Sequence, residues 1–258
     1  MNSISDLLKV SLGSFTLGKL LSAALTLAVC ILAVRLLNKL AAKLLSRFKH
    51  LNDRLQRILL TALKAGLYII TGILTADALG AEYRCISQSG WGIVSGWDND
   101  VRHILPPYYT RVCGVAMGQR NAALGVQQEN DFAAWQPDAV IVNLGTNDTG
   151  AFDNPPWTDP ATGKPHQLRR LSNGDFHPAD AQKVANGVQH FLTLLRAKNP
   201  GAKLVWCIGM LGSELLPVLR QGMEQYKAIT GDSSVYLLEL PNTCLLYTSP
   251  SPRDMRRS

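Results

Sequence analysis

The sequence lacks the residue spacings that hold metal ions or redox-active disulfides. Its five cysteines are scattered without a CxxC pair, and its five histidines form no pair at metal-ligand spacing. We therefore predict no metal and no cofactor, and we interpret the cysteines as small buried hydrophobic residues. A disulfide between Cys85 and Cys113 stays open as an alternative if the residues beyond 80 lie outside the cytoplasm.

Charged residues are also scarce, at 17% of the chain against 47% hydrophobic residues. This balance excludes a disordered or collagen-like chain. The net charge of +7 is unevenly spread: residues 1–80 hold ten Lys or Arg against three Asp, whereas residues 81–243 hold thirteen against fifteen Asp or Glu. The larger part of the chain therefore has no basic excess, and we predict no nucleic-acid partner.

Residues 1–80 contain two apolar stretches. Leu20–Val34 is free of charge over fifteen residues, and Ile58–Ala76 is interrupted by Lys64 alone. A membrane-spanning helix needs about 20 apolar residues, and the first stretch reaches that length if its flanking basic residues extend to the two interfaces. We predict a membrane-type α-helical hairpin that contacts a membrane through residues 17–80. The alternative is an amphipathic hairpin that packs on a protein surface.

The connector between the two stretches is basic, with seven Lys or Arg against Asp53. The positive-inside rule places it in the cytoplasm, so the residues after 80 are expected to be extracytoplasmic. The runs LGKLLSAALTLAVCILAVRLLNKL and LLSRFKHLNDRLQRILLTALKAGLYIITGIL resemble the N-terminal hairpin of small-conductance mechanosensitive channels over about residues 15–80. That family continues with a pore-lining helix and a cytoplasmic β domain. Nothing similar follows Gly80, so we expect no working channel.

Residues 81–243 alternate between strand and helix patterns, which predicts an α/β fold with a parallel sheet. The predicted elements are a short strand within residues 81–92, strands at 139–144, 202–210 and 234–240, and helices at 179–198 and 215–229. Ligands of such sheets bind at the carboxyl ends of the strands. Gly90 and Asn147 both fall near predicted strand ends.

Two sequence blocks carry a family resemblance. PDAVIVNLGTND and ISQSGWG resemble the third and second conserved blocks of SGNH hydrolases, the GDSL-type esterases, and the flanking sequence resembles a bacterial subgroup related to carbohydrate esterases. The resemblance implies an incomplete three-layer SGNH-hydrolase-like sheet that hydrolyses O-acyl esters, with acetyl as the expected group, on carbohydrates or other small esters. It assigns the oxyanion-hole donors to the backbone N–H of Gly90 and the side-chain amide of Asn147.

The nucleophile and base of that family are not recognisable. Its serine lies in a GDS motif upstream of the second block, where nothing before Ala81 fits, and its histidine follows the last strand, where no His occurs after Pro241. A GDS triplet at residues 231–233 stands between a helix and a strand, the reverse of the required order, and His177 comes too early in the chain. We therefore expect little or no activity, since oxyanion donors alone retain only residual catalysis.

The loops of residues 81–243 are rich in aromatic residues: Trp91, Trp97, Tyr108, Tyr109 and Trp157. Sugar rings stack on such side chains, which fits a glycan ester as substrate. The alternative is that these rings pack on the sheet.

The last segment, residues 244–258, reads CLLYTSPSPRDMRRS and matches neither resembled family. Its Ser-Pro repeat predicts an extended end, or an artefactual one. The sequence thus predicts three parts: a hairpin over 1–80, a partial hydrolase-like domain over 81–243 and a tail over 244–258. Two alternatives stay open, namely a membrane-anchored non-catalytic fragment of a channel-like protein and an artefactual fusion of unrelated pieces.

Overall fold

The computed structural model describes residues 11–12, 15–45, 53–209 and 212–240. The described residues divide into two compact units, one that ends at Cys85 and one that begins at Ile86. The tail prediction for residues 244–258 lies outside the described residues.

The first unit is built from two long helices. Strands β1 (Ser11–Leu12) and β2 (Phe15–Thr16) form a short antiparallel pair that leads into helix α1 (Leu17–Leu45), and helix α2 (Asp53–Leu79) packs against α1. The helical hairpin expected from the sequence is therefore present.

Helix α1 is the one described helix that is long and apolar enough to cross a membrane. An N-terminal signal sequence would have the same length and composition. In α2 the apolar part is the shorter stretch Ile70–Leu79. The prediction of a second crossing over Ile58–Ala76 is therefore not supported, since the apolar part of this helix is shorter than a membrane span.

The second unit contains a three-stranded parallel sheet. Strands β3 (Ala139–Val142), β6 (Lys203–Ile208) and β7 (Val235–Glu239) lie in the order β3-β6-β7. Both pairs are parallel, as the alternation of strand and helix patterns predicted. The α/β class and its parallel sheet are confirmed. The sheet is small: it has three strands among the described residues, and β3 lies at one edge.

Helices α5 (Pro178–Lys198) and α6 (Leu216–Thr230) are the crossovers between these strands and pack against each other. Helix α5 begins with proline at its first turn, where no backbone donor is lost. Gly222 of α6 lies so close to α5 that a Cβ there would be 2.4 Å from the carbonyl oxygen of Ala185. The two helices can therefore approach each other this closely only because residue 222 has no side chain.

The core of the unit lies between these helices and one face of the sheet. Leu204, Trp206 and Ile208 of β6 are at most 1% exposed and meet a stripe of buried residues on α5 at helical spacing. Burying one such aliphatic side chain contributes roughly 1.5–3 kcal/mol. The members of the stripe are Val184, Ala185, Val188, Phe191, Leu192 and Leu195.

The opposite face of the sheet carries exposed apolar side chains. Ile141 is 71% exposed, Tyr236 48% and Leu238 49%. The strand registers place Ile141 and Tyr236 on either side of Val205, so these side chains share one face. Parallel sheets are ordinarily covered on both faces, which makes this sheet incomplete as the sequence predicted.

The remaining elements are short. They are helices α3 (Gln119–Ala123) and α4 (Thr146–Ala151), a 3-10 turn (Pro106–Tyr108) and the antiparallel pair β4 (Trp157–Thr158) with β5 (Pro165–His166). The strand predicted within residues 81–92 is wrong: the backbone there forms no strand, and Gly92 makes only an isolated bridge to Ile104. Apart from this bridge, no described strand pairs with residues 81–92.

Candidate functional site

Asn147 lies at the carboxyl end of the parallel sheet. Strand β3 ends at Val142, and α4 begins at Thr146 after a turn at Gly145. Gly145 has a φ of 121° and faces the side chains of Ile208 and Leu215, so a larger residue would be strained there. The turn therefore places Asn147 in the first turn of α4, where ligands of parallel sheets bind.

Gly90 opens a compact loop over residues 90–95, here named the Gly90 loop. Its φ of 81° is a left-handed conformation that favours glycine, and a Cβ would lie 3.1 Å from the indole Cδ1 of Trp97. The carbonyl oxygen of Gly90 accepts the N–H of Trp97 at 3.1 Å. Within the described part of the chain, the N–H of Gly90 donates to no acceptor.

A hydrogen bond joins the two sequence blocks. The Nδ2 of Asn147 donates to the carbonyl oxygen of Trp91, the residue after Gly90, over 2.6 Å. A carboxamide nitrogen carries two hydrogens, so one is left for another acceptor. The structure therefore brings Asn147 to the Gly90 loop, while the convergence of the two donors on one substrate atom stays a prediction.

Asp148 makes the second connection, and the sequence analysis missed it. Its side chain is fully buried, and its carboxylate accepts the N–H of Ile93 at 2.8 and 3.0 Å and the N–H of Val94 at 2.9 Å. Burial raises the pKa of Asp148 to about 6, against the lowering effect of these backbone donors. In the sequence, the feature that could have indicated this role is the position of Asp148 directly after Asn147.

Asp98, Asp100 and His103 form the cluster of potential metal ligands in the described residues, with ligand atoms within 4.8 Å of one another. Arg102 already binds both carboxylate oxygens of Asp100, its Nε at 3.0 and 3.2 Å and its Nη2 at 2.6 Å from Oδ2. This hydrogen bonding lowers the pKa of Asp100. The arrangement is an ion pair between Arg102 and Asp100.

The aromatic residues divide between loop surface and core. Trp97 is 51% exposed beside Gly90, and Trp91 stacks on His103 with ring centroids 5.6 Å apart. Tyr109 is buried, and its hydroxyl accepts the Nδ2 of Asn199 at 2.8 Å. Tyr109 is therefore a core residue, and the sugar-stacking hypothesis is wrong for it because its ring has no exposed face.

The GDS triplet at residues 231–233 and His177 lie at the places in the order of helices and strands that the sequence predicted. Gly231 ends α6 in a left-handed conformation, and the following Asp232 accepts the Nε of Arg196 at 2.8 Å. The GDS triplet is thus an ordinary turn from helix to strand. His177 precedes α5, and its buried Nδ1 has no hydrogen-bond partner among the described residues, lying 3.7 Å from Oδ2 of Asp180.

The alternative pairing of Cys85 with Cys113 stays a prediction. Cys207 is buried in β6, as the interpretation of cysteines as small hydrophobic residues expects, whereas Cys113 is exposed.

The chain is similar to the solved structure of an acetyl xylan esterase, Est2A, from the rumen bacterium Butyrivibrio proteoclasticus. The two sequences are 45% identical, the match covers 70% of this chain and 50% of that chain, and the TM-score is 0.65. This chain therefore spans half the length of that esterase. No protein-family model and no curated protein matches it.

More distant similarities connect the chain to family two carbohydrate esterases. The structure from Cellvibrio japonicus is 20% identical, with coverage of 66% of this chain and 42% of that chain and a TM-score of 0.46. The structure from Clostridium thermocellum in complex with cellohexaose is 21% identical, with coverage of 65% and 42% and a TM-score of 0.43. At these values the two likenesses carry no functional information. None of these similarities supports the resemblance of residues 15–80 to mechanosensitive channels.

Proposed function

We propose that residues 81–243 are part of an SGNH-type esterase domain for O-acetyl esters on carbohydrates. The observation that carries the proposal is the hydrogen bond from Asn147 to the Gly90 loop, in a chain 45% identical to an acetyl xylan esterase. The N–H of Gly90 and the second Nδ2 hydrogen of Asn147 are the proposed oxyanion donors.

The chemistry assigns these donors one role. When a nucleophile adds to the ester carbonyl, the carbon–oxygen π electrons move onto the oxygen, and the negative charge needs fixed donors until the intermediate expels the sugar alkoxide, which is protonated as it leaves. Removing one such donor typically lowers the rate by ~10²–10³. Gly90 contributes a backbone donor whose direction is set by the loop, and Asn147 contributes a side-chain donor anchored at Trp91.

The proposed substrate class is a carbohydrate because of the aromatic surface beside Gly90. The half-exposed ring of Trp97 adjoins the position that a Gly90 side chain would occupy. An acetyl group held at the oxyanion donors would place its sugar within reach of this ring. The expected polymer is acetylated xylan or a related glycan, in keeping with the description of Est2A as an acetyl xylan esterase.

This polypeptide by itself is expected to turn over slowly, because no recognisable serine–histidine pair accompanies the donors in the sequence. The test is hydrolysis of 4-nitrophenyl acetate and release of acetate from acetylated xylan by the purified full chain. We expect a rate close to that of buffer. A rate well above buffer that is abolished in Asn147→Ala would contradict the expected inactivity and support the oxyanion assignment.

We also propose that α1 anchors the chain in a membrane, with the residues after 80 on the extracytoplasmic side. The length and apolar composition of α1 favour the anchor, and the basic connector favours the orientation. Fractionation of expressing cells tests both points: detergent should be needed for extraction, and added protease should cleave near residue 81 from outside. Recovery of the intact chain in the soluble fraction would contradict the anchor.

A further inference from the structure

We propose that Asp148 is a positioning residue of the oxyanion site, whose carboxylate holds the Gly90 loop in the conformation that presents the Gly90 N–H to an ester. The inference rests on the proposed function and extends it to a residue that touches neither substrate nor reacting atoms. Three contacts support it: both oxygens of Asp148 accept the N–H of Ile93, and Oδ1 also accepts the N–H of Val94.

The fit between the carboxylate and the loop is close. Asp148 has no exposed surface. A Cβ on Gly92 would lie 2.4 Å from its Oδ2 and 2.1 Å from the carbonyl oxygen of Ser95. Gly92 is also fixed from the other side, because its N–H donates to the carbonyl oxygen of His103 at 3.1 Å. The loop therefore closes around the carboxylate only because residue 92 has no side chain.

Two neighbouring residues of α4 form hydrogen bonds with the Gly90 loop at two points. Asn147 bonds to Trp91, and Asp148 bonds to the pair Ile93 and Val94, so the contacts bracket Gly92. Any displacement of the loop relative to α4 would move the Gly90 donor away from the Asn147 donor. Since oxyanion stabilisation depends on donors fixed before the reaction, Asp148 would act on catalysis through loop geometry.

Both oxygens of Asp148 face backbone N–H donors of the loop: Oδ1 accepts from Ile93 and Val94, and Oδ2 accepts from Ile93. An ionised carboxylate has only acceptors, whereas the carboxamide of asparagine has one acceptor oxygen and one NH₂ donor. Asp148→Asn keeps the shape of the side chain but turns a donor toward a backbone N–H. The variant therefore separates the hydrogen-bonding role of Asp148 from simple filling of space.

The experiment uses ¹⁵N-labelled full-length protein, sodium acetate as the probe and Asp180→Asn as the matched control. Asp180 is another buried acid, which accepts the backbone N–H and Nε of Arg169 at 3.1 and 2.8 Å at the start of α5. Acetate should shift the amide signals of Gly90 and of the Asn147 side chain in the unmutated protein and in the control. In Asp148→Asn, acetate affinity should fall at least tenfold, and amide exchange at Ile93 and Val94 should accelerate at least a hundredfold.

The outcomes separate the two proposals. If Asp148→Asn binds acetate as tightly as the unmutated protein, the positioning role is overturned and the proposed function stands. If the unmutated protein shows no acetate response at Gly90 and Asn147, the proposed function fails and this inference fails with it. If the variant does not fold, amide exchange in the unmutated protein decides: rates at Ile93 and Val94 as slow as at Leu105, whose N–H bonds to Gly92, support the proposal, and rates of an unbonded loop amide overturn it.

Discussion

The buried carboxylate of Asp148 predicts that the second unit becomes less stable as the pH rises toward neutrality. Burial raises its pKa from the ordinary value of 3.8 to about 6. Folding therefore takes up a proton between these two values. The stabilisation that comes from this proton is complete below about pH 4 and is lost as the pH rises through about 6.

The size of the effect follows from the two pKa values. A shift of one pKa unit corresponds to about 1.4 kcal/mol, so the whole shift of Asp148 corresponds to about 3 kcal/mol, of which about 2 kcal/mol is lost between pH 4 and pH 7. Small domains have total stabilities of about 5–15 kcal/mol, so this loss is a large fraction of the whole.

Urea unfolding followed by tryptophan fluorescence measures the effect in the second unit, because all five tryptophans lie beyond residue 86. Asp148→Asn is the control, since its side chain does not ionise while every other titrating group is shared. The unfolding free energy of the unmutated protein minus that of the variant should fall by about 2 kcal/mol from pH 4 to pH 7. A difference that stays constant or increases with pH would refute the reasoning.

Two substitutions test the packing. Asn99→Ala should destabilise the second unit by about 2–4 kcal/mol in the same urea assay, because the buried Nδ2 of Asn99 donates to three carbonyl oxygens and its Oδ1 accepts the N–H of Leu168; an unchanged midpoint would contradict this role. Gly222→Ala should destabilise by about 1–3 kcal/mol through the clash with α5, whereas Gly201→Ala, at a position with no heavy atom within 4 Å of the added Cβ, should change little. Equal effects of the two alanines would show that the close helix contact is not what constrains residue 222.

The parts of the fold that the sequence predicted are those with a strong local pattern. The β-branched run Ala139–Val142 and the stripe of apolar residues on Pro178–Lys198 are visible in the sequence, because strands and helices bury residues at fixed periods. A short strand was also predicted within residues 81–92, yet the segment forms none, since a strand needs a neighbour that the local sequence does not reveal.

The candidate site was predicted only in part for a similar reason. Gly90 and Asn147 were found through their blocks, whereas the role of Asp148 depends on contacts with residues more than fifty positions away. Tyr109 was grouped with surface aromatics because composition does not separate a loop ring from a core ring. Its bond to Asn199, ninety positions further along the chain, places it in the core.

Asp148 also illustrates a conflict between stability and function. At neutral pH its ionised form costs folding free energy, while the proposed positioning role requires two acceptor oxygens and hence that ionised form. Substitutions that remove the buried charge are therefore expected to remove this pH-dependent cost and to loosen the Gly90 loop together.

The apolar side of the sheet has a practical consequence for handling this protein. Among the described residues, one edge of strand β3 has no pairing partner, and the strand contains no lysine, proline or bulge to discourage another strand from joining. Ile141 is exposed on this strand. At high concentration, folded chains are expected to associate through the edge of β3 before their cores unfold. A charged replacement such as Ile141→Lys should keep the polypeptide dispersed at concentrations where the original precipitates.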